Sequence, residues 1–107
     1  MNLPKVVSDL VNTQNNFDSV AYASCFSETA IVYDEGKMHT GRKDIEHWIA
    51  DANERYEATM QPLSFEEKET ESILTVKASG KFDGSPITLS YHLEIADELI
   101  QTLKITG

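Results

Sequence analysis

FSETAIVYDEGKMHTGRKDIEHW, residues Phe26 to Trp48, carries the signals of a helix end, a strand, a turn, a return strand and a helix in succession. A helix is predicted to end at Phe26, and the β-branched and aromatic run Ile31-Val32-Tyr33 then leads as a strand to Asp34. Asp34-Glu35-Gly36-Lys37 has the chemistry of a reversing turn, which folds Met38-His39-Thr40 back as a short return strand. After Gly41-Arg42, residues Ile45, Trp48, Ile49, Ala52 and Tyr56 recur at i, i+3, i+4, i+7 and i+11, one face of a helix. Alternation along the strand puts Asp34 on the face of Val32, opposite Ile31 and Tyr33, and leaves open which face is inward.

Toward the N-terminus, Leu3, Val6, Val7, Leu10 and Val11 have helical spacing, and Pro4 suits a first helical position, so a helix is expected from Pro4 to Thr13. Gln14-Asn15-Asn16 interrupts that pattern. Asp18 then caps a second helix through Val20, Tyr22, Ala23 and Phe26. From Met60 onward the period changes to two. Leu74, Val76, Ala78 and Phe82 form one dry face, Asp83-Gly84 predicts a tight hairpin, and Leu89, Tyr91, Leu93 and Ile95 form the dry face of the next strand. A last strand, Glu98 to Thr106, puts Leu99, Leu103 and Ile105 on one side, with Gln101 as a polar intruder among them. Three helices and an antiparallel sheet make an α+β domain whose helices cover one face of the sheet.

A chain of 107 residues with no Pro/Gly/Ser-rich linker reads as one domain. Its net charge of -9, from 9 basic and 18 acidic residues, excludes nucleic acid and an anionic membrane as partners. No apolar run is long enough to span a bilayer, and Met1 to Lys5 lacks the start of a signal peptide, so a cytoplasmic location is expected. Cys25 is the sole cysteine, which rules out an intrachain disulfide and suits a buried packing role. His39, His47 and His92 have no metal-ligand spacing, and no metal site is expected.

The order of Phe26, a polar linker, Ala30, a β-branched strand ending in Asp34, and a Gly41-bounded helix start resembles the nuclear-transport-factor-2-like superfamily. Within it, the chain looks most like SnoaL-like proteins and ketosteroid isomerases, and the resemblance covers essentially its whole length. It implies a cone-shaped half-barrel (cystatin-like) with an apolar pocket for a small molecule, and an isomerase, cyclase or lyase chemistry that needs no cofactor. It also implies Asp34 as general base on a small apolar carbonyl compound. At the places where ketosteroid isomerases carry oxyanion donors this chain has Leu10, which cannot donate, and Tyr91, which can.

Ligand contacts are expected from Tyr22, Phe26, Val32, His39, Trp48, Tyr56, Leu93 and Gln101. The residues also admit a plainer reading, with Asp34 a turn aspartate bonding its own backbone and Tyr91 a core aromatic. On that reading the domain is a non-catalytic binding or dimerisation module. Ser90, His92 and Glu94 alternate outward, a polar face suited to a homodimer through the sheet.

Overall fold

The computed structural model describes residues Met1–Gly107. Helices α1 (Lys5–Asn15) and α2 (Ser19–Ser24) precede the hairpin β1 (Phe26–Asp34) and β2 (Lys37–Thr40). Helix α3 (Arg42–Tyr56) follows, and β3 (Thr59–Glu67), β4 (Ser72–Ser79), β5 (Ile87–Ala96) and β6 (Leu99–Thr106) complete one six-stranded sheet in the order β2-β1-β6-β5-β4-β3. The α+β cone expected from the sequence is the fold. Its sheet is mixed: β1 lies parallel to β6, and the other pairs are antiparallel.

Two boundaries near the N-terminus differ from expectation for a hydrogen-bonding reason. Helix α1 continues past Thr13 through Gln14 and Asn15, because both amides find tertiary partners. The Asn15 side chain donates to the Met60 carbonyl at 3.0 Å and accepts from the Met60 N–H at 2.7 Å, as a neighbouring strand would. Helix α2, capped by Asp18 as expected, stops at Ser24, and Phe26 opens β1 instead of closing the helix. The Ile100 N–H donates to Cys25 O at 2.9 Å. Arg42 donates twice to Phe26 O, at 3.1 and 2.7 Å. Those bonds take the carbonyls that a longer helix would have used.

On β1, Phe26, Ala30 and Val32 are buried and Tyr33 is exposed, so the face of Val32 is the inward one and Asp34 shares it. Val6, Val7, Leu10 and Val11 of α1 and Ile45 and Ile49 of α3 meet this face from the helical side. Leu74, Val76, Tyr91, Leu93, Ile100 and Leu103 meet it from the sheet. No helix is long and apolar enough to cross a membrane.

Two further corrections fall in the C-terminal half. β4 ends at Ser79 and β5 begins at Ile87, so Asp83-Gly84 lies in a wider connection instead of a tight hairpin, and Phe82 is off the strand. That connection is tied by Gly80 N–H to Ser85 Oγ at 3.0 Å, Ser85 N–H to Phe82 O at 3.3 Å, and Lys81 N–H to Tyr56 O at 2.6 Å. Pro86, with no N–H, cannot extend the ladder. In β6, Glu94 pairs with Thr102 and Ile95 with Ile100, which leaves Gln101 as the extra residue of a bulge. The bulge moves Ile100 into the core beside Leu103 while Leu99 stays partly exposed.

Gly80 sits where a Cβ would come within 2.6 Å of Tyr56 O and 2.9 Å of Ala58 Cα, both backbone atoms that cannot swing away. Gly80→Ala should therefore destabilise the fold by about 1–3 kcal/mol, read as a lower urea midpoint at unchanged slope. An unchanged midpoint would mean that the β4–β5 connection is not held against the end of α3.

Candidate functional site

The inward ends of β1, β6 and β5 line up across the sheet. Tyr33 pairs with Lys104 in the parallel ladder, so Asp34 lies beside Ile105, and Ile105 pairs with Tyr91. Asp34 and Tyr91 thus flank Ile105 across two strand spacings, about 10 Å between backbones. Above this row runs α3, whose Trp48, Ile49, Ala52, Asn53 and Tyr56 project toward the sheet. Between helix and sheet is a cavity of about 530 Å³, lined by those residues together with Asp34, Tyr91, Leu89, Ile105, Met60 and Ala78, among others. Its volume is that of a small-molecule pocket, and apolar groups dominate the walls. Exposed Glu35, Asp83, Ile87 and Gly107 contribute to its rim.

Asp34 is half-buried, and its carboxyl is raised above the ordinary carboxylate range. Desolvation is the main cause and the neighbouring charge of Glu35 adds to it, while His39 and the Trp48 indole N–H pull the other way. Tyr91 is buried, and its phenol is pushed upward, first by burial and then by the charge of Asp34. It remains protonated, and so a donor, throughout the ordinary pH range. Cys25 is buried with its thiol pushed up to about 11, chiefly by desolvation, and its Sγ lies 3.6 Å from Ala21 O. It carries no nucleophile character.

Of the residues expected to contact a ligand, Trp48 and Tyr56 line the cavity with Asp34 and Tyr91. Phe26, Val32 and Leu93 do not, because each is fully buried in the core beneath it. Tyr22 is also a core side chain, 1% exposed, with its ring 6.2 Å from that of Trp48. His39 is displaced from the wall by Trp48, on which its ring stacks at 5.4 Å. Gln101 is far from the site: its amide donates to Ala96 O at 3.0 Å and Leu99 O at 3.4 Å, tying the bulge to the β5–β6 turn.

Several wall residues carried no functional signal in the sequence. Gln14 looked like part of a helix break, yet it is 5% exposed and lines the cavity, donating to Asn53 Oδ1 at 3.1 Å and Ala58 O at 2.7 Å. Asn53 lies five residues beyond Trp48 on α3, about 7.5 Å along the axis. Phe82 closes the same end edge-on to Tyr56, with ring centroids 6.3 Å apart. A pairing of amides on α1 and α3 depends on tertiary placement that no spacing rule predicts.

Among solved structures, the chain is similar to a protein of Sinorhizobium meliloti provisionally named a polyketide cyclase, at 32% identity and a TM-score of 0.92, over 97% of this chain and 95% of that one. A ketosteroid-isomerase-like-fold protein of Catenulispora acidiphila, solved in complex with trimethylamine, matches with a TM-score of 0.88 at 16% identity, over 99% and 87%. A provisionally named ketosteroid isomerase of Kribbella flavida matches with a TM-score of 0.79 at 12% identity, over 95% and 74%. These last two speak to the fold alone. No protein-family model and no curated protein matches the chain. The chain belongs to the SnoaL-like, ketosteroid-isomerase-like group of the nuclear-transport-factor-2-like superfamily.

The raised Asp34 carboxyl has a signed consequence for stability. A carboxyl with a raised folded pKa contributes stability below the unfolded value, about 3.9, and loses it as pH rises through the folded value. Asp34→Asn should therefore melt higher than the parent at pH 7, with the gap closing as pH falls toward about 4. A gap that is absent at pH 7, or constant with pH, would show that the carboxylate is not desolvated.

Proposed function

We propose that the cavity is a cofactor-independent catalytic pocket in which Asp34 is the general base toward a small apolar carbonyl compound. The observation that carries this reading is a carboxylate of raised pKa on the wall of a largely apolar cavity, with a protonated phenol two strands away. Asp34 removes a proton from the carbon next to the carbonyl, and the C–H electron pair moves into a C=C bond while the carbonyl π pair passes to oxygen as an enolate. Tyr91 donates a hydrogen bond to that oxygen. In a β,γ-unsaturated compound the dienolate takes the proton back from Asp34 at its γ-carbon, which gives an isomer; in a dicarbonyl compound the α-carbon attacks the internal carbonyl, whose π pair passes to oxygen, and that alkoxide takes the proton from Asp34, which gives a ring. Each outcome conserves atoms and charge without a further reagent. Its likeness to a provisionally named polyketide cyclase supports the same reading.

The outer sheet face is proposed as a homodimer surface. It carries Tyr33, Glu94, Thr102 and Lys104 around His92, whose ring nitrogens lie 3.4 Å from Glu71 Oε1 and 3.1 Å from Thr106 Oγ1. Sedimentation equilibrium should return a dimer mass at micromolar protein, and a strict monomer at millimolar protein would remove the proposal.

Deuterium exchange in D₂O at the α-carbons of cyclohexanone and 3-cyclohexenone, followed by proton NMR, tests the base. The parent should exchange them faster than matched buffer. Asp34→Asn should lose about 10²–10⁴ of that rate and Tyr91→Phe about a hundredfold. Equal rates for the parent and Asp34→Asn would reduce the pocket to a binding site.

A further inference from the structure

Gln14 is the one amide among the buried residues, 5% exposed, and it lies on the cavity wall. A glutamine amide offers two donor hydrogens on nitrogen and an accepting oxygen. Both hydrogens are used: Nε2 donates to Ala58 O at 2.7 Å and to Asn53 Oδ1 at 3.1 Å. The Ala58 carbonyl can only accept, which fixes the Gln14 nitrogen on that side, and the Asn53 amide must then turn its oxygen to the second hydrogen. What remains is an acceptor, Gln14 Oε1, and a donor, Asn53 Nδ2, neither with a partner inside the protein. The side-chain polar atoms sealed away without a partner are Tyr22 Oη and Ser27 Oγ. Gln14 Oε1 is not one of them, so it is open to the cavity that its side chain lines, and half-buried Asn53 lines the same wall. An acceptor and a donor thus stand side by side at the end closed by Tyr56 and Phe82, about 7.5 Å along α3 from Trp48.

We propose that this amide pair is a hydroxyl-binding subsite, and that the ligand class is a hydroxy ketone with its carbonyl at the Asp34 end and its hydroxyl one ring away, between Gln14 and Asn53. A hydroxyl is the smallest group that accepts and donates at once: its oxygen takes a hydrogen from Asn53 Nδ2 and its own hydrogen goes to Gln14 Oε1. A carboxylate only accepts and an ammonium only donates, so each leaves one member of the pair unmatched. Gln14 is held rigidly for this task, since its two bonds join the end of α1 to α3 and to the segment that leads into β3. The apolar walls between the two ends, Ala52, Leu89 and Met60, suit the ring that separates the polar groups. The inference rests on the pocket proposed above and adds the second polar feature of its ligand. A ketone without the hydroxyl leaves a buried acceptor and its neighbouring donor to lose their water without replacement, which makes the pair a selector.

Trp48 is the sole tryptophan and lines the cavity, so its single indole N–H resonance in a nitrogen–proton NMR titration reports occupancy. The probes are 4-hydroxyacetophenone and acetophenone, in mildly acidic buffer where the phenol is neutral. The parent should bind the hydroxy ketone about tenfold more tightly. Asn53→Leu, which leaves the Gln14 bond to Ala58 in place, and Gln14→Met, which removes the acceptor at equal length, should each bring the ratio to one or below. Gln14→Met also loses the Ala58 bond and should melt lower, so Asn53→Leu carries the comparison if Gln14→Met does not fold, and the parent's own ratio needs no variant. A parent ratio of one or below, a ratio kept at the parent's value in either variant, or an indole resonance moved by neither ketone would overturn the proposal. The ratio is read without turnover and the exchange of cyclohexanone needs no hydroxyl, so a failure of the subsite and a failure of Asp34 as base are separate results.

Discussion

Ile100 N–H to Cys25 O, and the pairing of Phe26 with Ile100 beyond it, hold the start of β1 against β6, and the geometry of the site follows from that contact. β1 then runs parallel to β6, and after a register shift between Phe26 and Ile31 it delivers Val32 beside Leu103 and Asp34 beside Ile105. A slip of one residue would turn Tyr33 inward and Asp34 to solvent, because side chains alternate strictly. Arg42 secures the same point from the helical side by bonding Phe26 O, so the strand and the helix that roofs the cavity are tied to one carbonyl.

The carboxylate so delivered is in conflict with its surroundings. Desolvation and Glu35 disfavour its charge, while His39 and Trp48 moderate the penalty without removing it. A fold selected for stability alone would place an apolar residue at this position, as it does at Val32 two residues earlier on the same face. Retaining an acid there costs stability at neutral pH and provides a base whose affinity for protons is above that of a solvated aspartate. The phenols nearby share the dry environment and shift in the same direction, so burial keeps them protonated and they offer donors and not charge.

The elements were legible where one physical period dominated. α3 followed from the spacing of Ile45, Trp48, Ile49, Ala52 and Tyr56, and the inward faces of β4 and β5 from alternation through Leu74, Val76, Tyr91 and Leu93. Legibility failed where a single residue broke the period. Gln101 reads as a polar member of a dry face, but a bulge takes one residue out of register, and Ile100 and Leu103 are then the buried pair. Phe82 reads as strand because it continues the alternation from Ala78, yet the close backbone approach at Gly80 turns the chain away first. Of the site, Asp34, Tyr91, Trp48 and Tyr56 were visible as residue types at suitable positions. Gln14 and Asn53 were not, since amides acquire meaning only from the partner they meet across the fold.

Leu10 illustrates why the donor arrangement could not be transferred by position. It is wholly buried among apolar neighbours, a packing residue with nothing to give a ligand oxygen. What the fold fixes is the row Asp34, Ile105, Tyr91 across three strands, and the helices decide which further groups reach it. The carboxylate and the Tyr91 phenol are thus held by the sheet, and α3 with the end of α1 shapes the opposite wall of the cavity.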